Sequence, residues 1–136
     1  MSEENKAIAR RFMGVFESGD LSLVDELLSG DYIDHNPFPD QRPGPEVMRG
    51  LIGGMRTTFP DMKLTVDDII ADGDRVVTRW TRTGTHQGEF IGIPASGNAL
   101  SVTGINIDRI EDGKIVERWE QFDAMGMMQQ MSAIPS

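Results

Sequence analysis

The 136-residue sequence contains no cysteine, which excludes disulfides, thiolate metal sites and a cysteine nucleophile. Positive charge is also scarce, since 13 lysines and arginines stand against 22 aspartates and glutamates and leave a net charge of -9. Nucleic-acid binding needs clustered basic side chains, so we expect no nucleic-acid partner. The sequence has no stretch of about 18 apolar residues, and its N-terminus lacks an apolar run of signal-peptide length. We therefore expect a cytoplasmic protein without a membrane span.

The residues that are present describe an ordinary globular domain, with 38% hydrophobic and 26% charged residues. A chain of this length can bury a core without covalent staples, so residues 1–136 are predicted to form a single domain. No nucleophile triad, phosphate-binding loop or dinucleotide fingerprint occurs in the sequence. The common sequence signatures of cofactor binding and nucleophilic catalysis are therefore missing.

The first part of the chain predicts three helices. Apolar residues recur at helical spacing between Ile8 and Phe16, and a second short helix is predicted over 21–30. Four prolines interrupt the segment 31–45, which predicts an irregular loop. Pro45 suits the first position of a third helix, which is predicted to end at the Phe-Pro pair 59–60.

From residue 63 onward the pattern changes to short alternating or β-branched runs, separated by Asp-Gly turn signals at 72–73 and 112–113. Strands are predicted at 63–71, 75–86, 99–110 and 114–122, and a short helix follows from Asp123. Helices followed by consecutive antiparallel strands indicate an α+β fold. We expect a curved antiparallel sheet wrapped around the N-terminal helices, with a ligand cleft between the two layers.

The Asp-Gly turn at 112–113 also predicts how the last two strands pair. A two-residue turn places Glu111 opposite Lys114. An uninterrupted register then puts one set of residues on a common face, because side chains alternate along a strand: Gly104, Asn106, Trp119, Gln121 and Asp123. The opposite face would carry Ile105, Ile107, Val116, Arg118, Glu120 and Phe122. The first face mixes an indole, amides and a carboxylate, which is typical of a small-molecule site.

Asp123 has two interpretations. Aspartate is a favoured helix N-cap, and a helical segment begins directly after it. A carboxylate at the rim of an apolar cleft can instead act as a general acid or base. The spacing favours the cap.

Two histidines and an arginine are further candidates. His35 lies in the proline-rich loop, where a histidine either faces solvent or is a catalytic side chain threaded across a cleft. His86 ends a predicted strand, and two isolated histidines without paired spacing are weak evidence for metal, so we expect a structural or ligand-polarising role. Arg79 is either a surface residue or, if buried, an anchor for an anion.

Three segments together resemble the SnoaL-like polyketide cyclases: "DYIDHNP", "GTHQGEFIGIPASG" and "INIDRIEDGKIVERWEQFDAMGMMQQM". The resemblance implies the cone-shaped fold of the nuclear transport factor 2-like superfamily, which these cyclases share with ketosteroid isomerase, scytalone dehydratase and limonene epoxide hydrolase. It implies intramolecular aldol cyclisation of a hydrophobic carbonyl compound, without metal or organic cofactor. It also implies a homodimer formed through the outer side of the sheet.

The resemblance further assigns roles to individual residues. It implies that Asp123 is the catalytic acid and base, assisted by His35, and that Asn36 binds substrate oxygens. His86 and Asn106 match further pocket positions. Arg79, Trp119 and Gln121 complete the predicted substrate-binding set.

Fold and resemblance leave the reaction open, because one cavity can support several chemistries. Hydration, isomerisation or epoxide opening would use the same acid and base. A non-catalytic dimeric module that binds a small molecule is the alternative outside enzymology. The burial of Asp123 is the observation that separates these hypotheses.

Overall fold

The computed structural model describes residues 2–36, 44–90 and 92–131. Within these ranges the helices and strands follow the order α1 (Ser2–Ser18), α2 (Ser22–Leu27), β1 (Leu28–Asp34), α3 (Pro45–Thr58), β2 (Lys63–Asp72), β3 (Arg75–Thr85), β4 (Ala99–Glu111), β5 (Lys114–Phe122) and α4 (Ala124–Gln130). This order confirms the predicted α+β class. No helix in the described ranges is long and apolar enough to cross a membrane.

The helices lie close to where the apolar spacing predicts them. α3 begins at Pro45. The first residue of a helix donates no hydrogen bond within the helix, so the missing N–H of proline costs nothing at this position. The prediction for 21–30 is wrong at its end, because Leu28 adopts an extended backbone with φ -99° and ψ 139°. The chain continues as β1 to Asp34, so this strand occupies the start of the segment predicted as a loop. The remainder of that loop, 37–43, lies outside the described residues.

The strands form one five-stranded sheet in the order β1-β5-β4-β3-β2. The consecutive pairs from β2 to β5 are antiparallel, as predicted. β1 pairs in parallel with β5, so the sheet is mixed rather than purely antiparallel. The apolar faces of α1, α2 and α3 pack against one side of this sheet and form the core with it.

The register between β4 and β5 differs from the uninterrupted one. Glu111 pairs with Lys114 and Ile110 with Ile115, as the turn predicts, but Arg109 pairs with Glu117. A β-bulge at Val116 therefore inserts one extra residue into β5, and beyond a bulge every side chain changes face. The predicted pairing of Asn106 with Trp119 is wrong, because Asn106 lies opposite Glu120.

The sheet thus has an inner face, which is turned towards the helices, and an outer face. Cross-strand pairing and burial put the following polar and aromatic residues on the inner face: Thr78, Trp80, Arg82, Asn106, Asp108, Arg118 and Glu120. The outer face carries Ile105 and Ile107, as predicted, and Ile33 and Ile105 are each 44% exposed. Phe122 is on the inner side instead, partly buried against the core. Pairing of two copies through the outer face stays a prediction.

Gly104 leaves room for the largest buried side chain of the inner face. A Cβ at this position would lie 2.2 Å from Cζ2 of Trp80, so the indole occupies the space that any other residue would need. A close-packed interior has no spare space, so relieving such an overlap would force neighbouring atoms to move and would cost free energy. Gly104 is therefore a packing requirement rather than a flexible joint.

We expect Gly104→Ala to lower the free energy of unfolding by about 1–3 kcal/mol, the usual cost of overpacking a core. Gly54→Ala is the matched control, since a Cβ on this exposed glycine of α3 would meet no atom within 4 Å. Alanine favours a helix over glycine by about 0.8–1.0 kcal/mol, so this variant should be stabilised. Urea denaturation measures both variants, and equal effects would contradict the role given to Gly104.

Candidate active site

A continuous chain of buried polar side chains crosses the inner face of the sheet. The indole Nε1 of Trp80 donates to Oδ1 of Asn106 over 2.9 Å, and Nδ2 of Asn106 donates to Oδ2 of Asp108 over 2.8 Å. Nε of Arg118 donates to Oδ1 of Asp108 over 2.8 Å. All four side chains are buried. Polar and charged groups that are removed from water need hydrogen-bond partners, and here each side chain in the row is the partner of the next one.

Arg118 is the anchor of this chain. It lies directly across from Asp108 in the β4–β5 pairing, which is why the two side chains meet. Burial acts to lower the pKa of Arg118, but the adjacent Asp108 carboxylate outweighs it and the pKa is raised overall. The guanidinium also lies 4.7 Å above the ring of Phe12 in α1. Arg118 therefore stays charged and ties the sheet to the first helix.

Glu120 follows Arg118 on the inner face. Its carboxylate approaches Nη1 of Arg118 only to 3.8 Å, and its side chain keeps 19% of its exposure. Burial raises the pKa of Glu120, against the opposing effect of Arg118 and Arg82. Its backbone N–H donates to Oδ1 of Asn36 over 2.9 Å, which fixes the strand at this point. Glu120 is thus a partly buried carboxylate whose pKa is raised and whose oxygens make no close ion pair with the residues that the structure describes.

Arg82 lies on the neighbouring part of the inner face. Its guanidinium sits 4.6 Å above the Trp80 ring. Burial lowers the pKa of Arg82, opposed by the attraction of Glu120. Among the residues that the structure describes, it makes no hydrogen bond and no ion pair, so its N–H groups are available.

Two hydroxyl groups near this chain are buried without a hydrogen-bond partner in the described part of the protein, those of Tyr32 and Thr78. Burial raises the pKa of Tyr32, so the phenol keeps its proton at neutral pH. The charges of Arg118 and Glu120 both act on the pKa of this phenol, the first lowering it and the second raising it. Leaving a buried hydroxyl without a hydrogen-bond partner costs free energy. Such hydroxyls are typical of sites where a ligand or a water molecule supplies the missing partner.

An apolar cleft reaches the inner face between α3, α4 and the sheet. It is lined by Met55, Phe59, Met62, Thr83, Gly84, Leu100, Val102 and Met127, and Arg82 is the charged residue in its wall. The cavity volume is about 20 Å³, which is room for one water molecule, and the cleft with its open mouth has about 280 Å³ of empty space. Methionine side chains repack easily, so this wall can admit a larger molecule.

None of the eight predicted site residues is among those that line this cleft, and three of them lie together on the outer face. Asp123 is exposed and caps α4, accepting a hydrogen bond from the backbone N–H of Gly126 over 2.9 Å. Arg79 and Gln121 are also exposed and share a shallow groove of the outer face with it. The prediction that Asp123 and Gln121 face the interior pocket is wrong, because the bulge reverses which side chains of the second half of β5 point to the inner face.

His35 and Trp119 are partners on the outer face. Their rings stack with 4.7 Å between centroids, and Nε2 of His35 lies 2.7 Å from Oε2 of Glu117. The prediction that Trp119 lines the inner pocket is wrong for the same reason of register. Asn36 is exposed as well, and its side-chain Oδ1 accepts a hydrogen bond from the backbone N–H of Glu120. His35 and Asn36 thus border the site from the outside.

His86 is fully buried at the far end of β3. Its Nδ1 lies 2.9 Å from the hydroxyl of Ser96 and accepts from the backbone N–H of the same residue over 3.2 Å, and its Nε2 has no partner among the described residues. The ring packs against Phe59, a residue of the cleft wall, at 5.8 Å between centroids. Of the predicted set, His86 and Asn106 are the two that the structure buries.

Sequence reasoning missed the ionisable residues of the inner face that make the site: Tyr32, Arg82, Asp108, Arg118 and Glu120. The available signal was the alternation of charged with apolar residues in β4 and β5, which on an exposed face is unremarkable. Within residues 2–36, 44–90 and 92–131, no group of three histidine, aspartate or glutamate side chains could hold a metal ion.

Comparison with known proteins agrees with this architecture. The family model described as SnoaL-like polyketide cyclase matches residues 6–131. The nogalonic acid methyl ester cyclase of Streptomyces nogalater is 28% identical over 123 residues, which cover 88% of this chain and 90% of that protein. The aklanonic acid methyl ester cyclase DnrD of Streptomyces peucetius is 26% identical, covering 91% of this chain and 88% of that one.

Among solved structures, TsrD from Streptomyces laurentii superimposes with a TM-score of 0.90 and 34% identity, over 98% of each chain. Fold, matched length and identity all agree with one assignment. The chain belongs to the SnoaL-like polyketide cyclase family.

Proposed function

We propose that the chain is a polyketide cyclase-like enzyme that closes a ring in a hydrophobic carbonyl compound by acid–base catalysis, with Glu120 as the base and then the acid. One observation carries the proposal. Glu120 is a partly buried carboxylate with a raised pKa, beside two guanidinium groups, one of which lines an apolar cleft. Desolvated carboxylates next to fixed charges are typical of proton-transfer sites. Family membership supports the choice of reaction.

The reaction is an isomerisation, since each proton removed is returned. The Glu120 carboxylate takes a proton from a carbon next to a carbonyl group, and the C–H electron pair moves into the enolate. The enolate carbon attacks a second carbonyl of the same molecule and forms the new C–C bond. The resulting alkoxide receives the proton from the Glu120 carboxyl, which restores the starting carboxylate.

Tyr32 is the proposed donor to the developing negative oxygen. Its phenol is buried, unpartnered and kept protonated by its raised pKa. Donors that are held in place before charge develops are the most effective stabilisers of an oxyanion. The Arg118–Asp108 pair holds this part of the site rigid, and the methionines of the cleft exclude water.

Asp123 remains the alternative base that the family resemblance implies. In its favour, it directly follows Phe122, the last inner-face residue of β5. Against it stand its exposure and its bond to the N–H of Gly126, which occupies the carboxylate as a cap. Hydration or isomerisation would begin with the same proton transfer at Glu120, so the substrate decides between these reactions.

The test of the proposed function is incubation of the protein in D₂O with nogalonic acid and, separately, with its methyl ester. With at least one of the two compounds we expect enzyme-dependent uptake of deuterium at the carbon that loses a proton, together with the cyclised product. Mass spectrometry and NMR follow the two events separately. Deuterium uptake without ring closure would indicate an isomerase-type reaction on that compound, whereas neither event with either compound at stoichiometric enzyme would contradict the proposal.

The raised pKa of Glu120 also predicts how activity depends on pH. A base must be ionised, so kcat/KM should fall as pH falls through the pKa of Glu120, above the ordinary glutamate value of 4.5. Because Arg82 opposes this rise by attraction, Arg82→Gln should move the acid limb to higher pH. The pH profile of deuterium uptake measures both limbs. If the acid limb of the Arg82→Gln profile lay at the same pH as that of the wild type, the proposed attraction between Arg82 and Glu120 would be contradicted.

A further inference from the structure

Arg82 is a cation that makes no hydrogen bond or ion pair with the described residues and lies in an otherwise apolar binding wall. It lines the cleft together with methionine, phenylalanine, leucine and valine side chains, and no acidic residue is among the residues that the structure describes in that lining. Asp108 accepts hydrogen bonds from Arg118 through both its oxygens. Glu120 attracts both arginines and approaches Arg118 to 3.8 Å, but it makes no hydrogen bond to Arg82.

The orientation of Arg82 is nevertheless fixed. Its guanidinium stacks on the ring of Trp80, and that indole is itself held by its hydrogen bond to Asn106 and by the absence of a Cβ on Gly104. A flat guanidinium held against an aromatic face presents its N–H edge in one plane. This geometry suits a planar acceptor with two oxygens, which is a carboxylate.

Arg82 is half-buried, and a charge withdrawn from water without a hydrogen-bond partner is costly in the free protein. Water in the cleft mouth can satisfy part of the guanidinium, but a ligand that fills the apolar cleft displaces that water. A neutral ligand would then leave the guanidinium unpaired, whereas a ligand with its own anionic group would pair it. The cleft therefore favours hydrophobic molecules that carry negative charge at one end.

We propose that the substrate of this enzyme carries a carboxylate, separate from its reacting carbonyl groups, and that Arg82 is the residue that binds it. The inference rests on the proposed function only in taking the cleft as the substrate site. It distinguishes this chain from its two curated relatives, which are named for methyl esters. Arg82 would then determine specificity, while Glu120 performs the chemistry.

The test is a binding experiment that needs no turnover. Isothermal titration calorimetry at neutral pH compares 2-naphthoate with methyl 2-naphthoate, two probes that differ in charge and share one ring system. For the wild-type protein we expect the acid to bind at least about tenfold more tightly than the ester, the usual effect of a charge-assisted hydrogen bond. In Arg82→Gln this preference should disappear.

The controls separate this inference from the proposed function. Arg10→Gln removes the same charge from an exposed position of α1 and should keep the acid preference. Glu120→Gln should keep it too, so an inactive enzyme that still prefers the acid would leave Arg82 in its role. Arg82→Lys keeps the charge but loses the planar edge and should show a smaller preference. Circular dichroism checks that each variant is folded.

Three results would overturn the proposal. The ester could bind wild type as tightly as the acid, the acid preference could survive in Arg82→Gln, or the acid could fail to bind at millimolar concentration. The first of these results, combined with tight binding of a naphthol that is ionised at neutral pH, such as 1-nitro-2-naphthol, would replace the carboxylate by a phenolate or enolate.

Discussion

Glu120→Gln should lower the rate of deuterium uptake and of ring closure by about 10²–10⁴-fold, because removal of a general base has this effect. Glutamine keeps the shape of the side chain and cannot accept the proton. Its neighbours Arg118 and Arg82 lie close enough for attraction but make no hydrogen bond to Glu120, so the fold should persist. Substrate binding should change less than turnover.

Asp123→Asn is the matched variant, with the same carboxyl-to-amide change three residues later. Asparagine caps a helix as well as aspartate does, so α4 should remain intact. We expect turnover close to that of the wild type, since Asp123 is exposed and bonded to Gly126. The opposite ranking, with Asp123→Asn inactive and Glu120→Gln active, would return the catalytic role to Asp123.

Asp108→Asn should be the most destabilising single substitution among these, lowering the free energy of unfolding by about 3–5 kcal/mol. The change leaves Arg118 charged and buried, with 1% of its side chain exposed, and takes away the carboxylate that compensates it. The guanidinium of Arg118 packs against the ring of Phe12 and is therefore shielded from water. Chemical denaturation monitored by tryptophan fluorescence measures the loss.

Two comparisons make this prediction specific to burial. Glu26→Gln breaks the exposed pair with Arg11, whose side chains are 56% and 51% exposed, and should cost less than about 1 kcal/mol. The double variant Asp108→Leu with Arg118→Met removes both charges and should recover most of the stability, because apolar residues can replace a buried ion pair. A double variant as unstable as Asp108→Asn would mean that the pair is needed for more than charge balance.

Elements with a strong local pattern could be predicted from the sequence. The helix that begins at Pro45 and the strands on either side of each Asp-Gly turn depend on short-range signals, and the structure has them at those positions. β1 could not be predicted in this way. Its residues carry no alternating pattern, and it is a strand because β5 supplies its hydrogen bonds from the far end of the chain.

The candidate site was harder to predict than the fold, for one physical reason. Side-chain direction along a strand depends on the count of residues, and the bulge at Val116 changes that count by one. Nothing in the composition of Ile115, Val116 and Glu117 marks an irregularity. Asn106 lies before the bulge in the pairing of β3 with β4 and is correctly interior, whereas Trp119 and Gln121 lie after it on β5 and are reversed.

The parallel pairing of β1 with β5 has a consequence for biosynthesis. Residues 28–34 are synthesised before β2, β3 and β4, whereas their strand partner, residues 115–118, is synthesised after them. The antiparallel strands β2 to β4 can assemble in the meantime, while the edge of β1 stays open. Folding that waits for such distant contacts is slow and exposes unpaired strand edges to other chains. A nascent chain truncated before residue 114 should therefore be the species that most needs a chaperone.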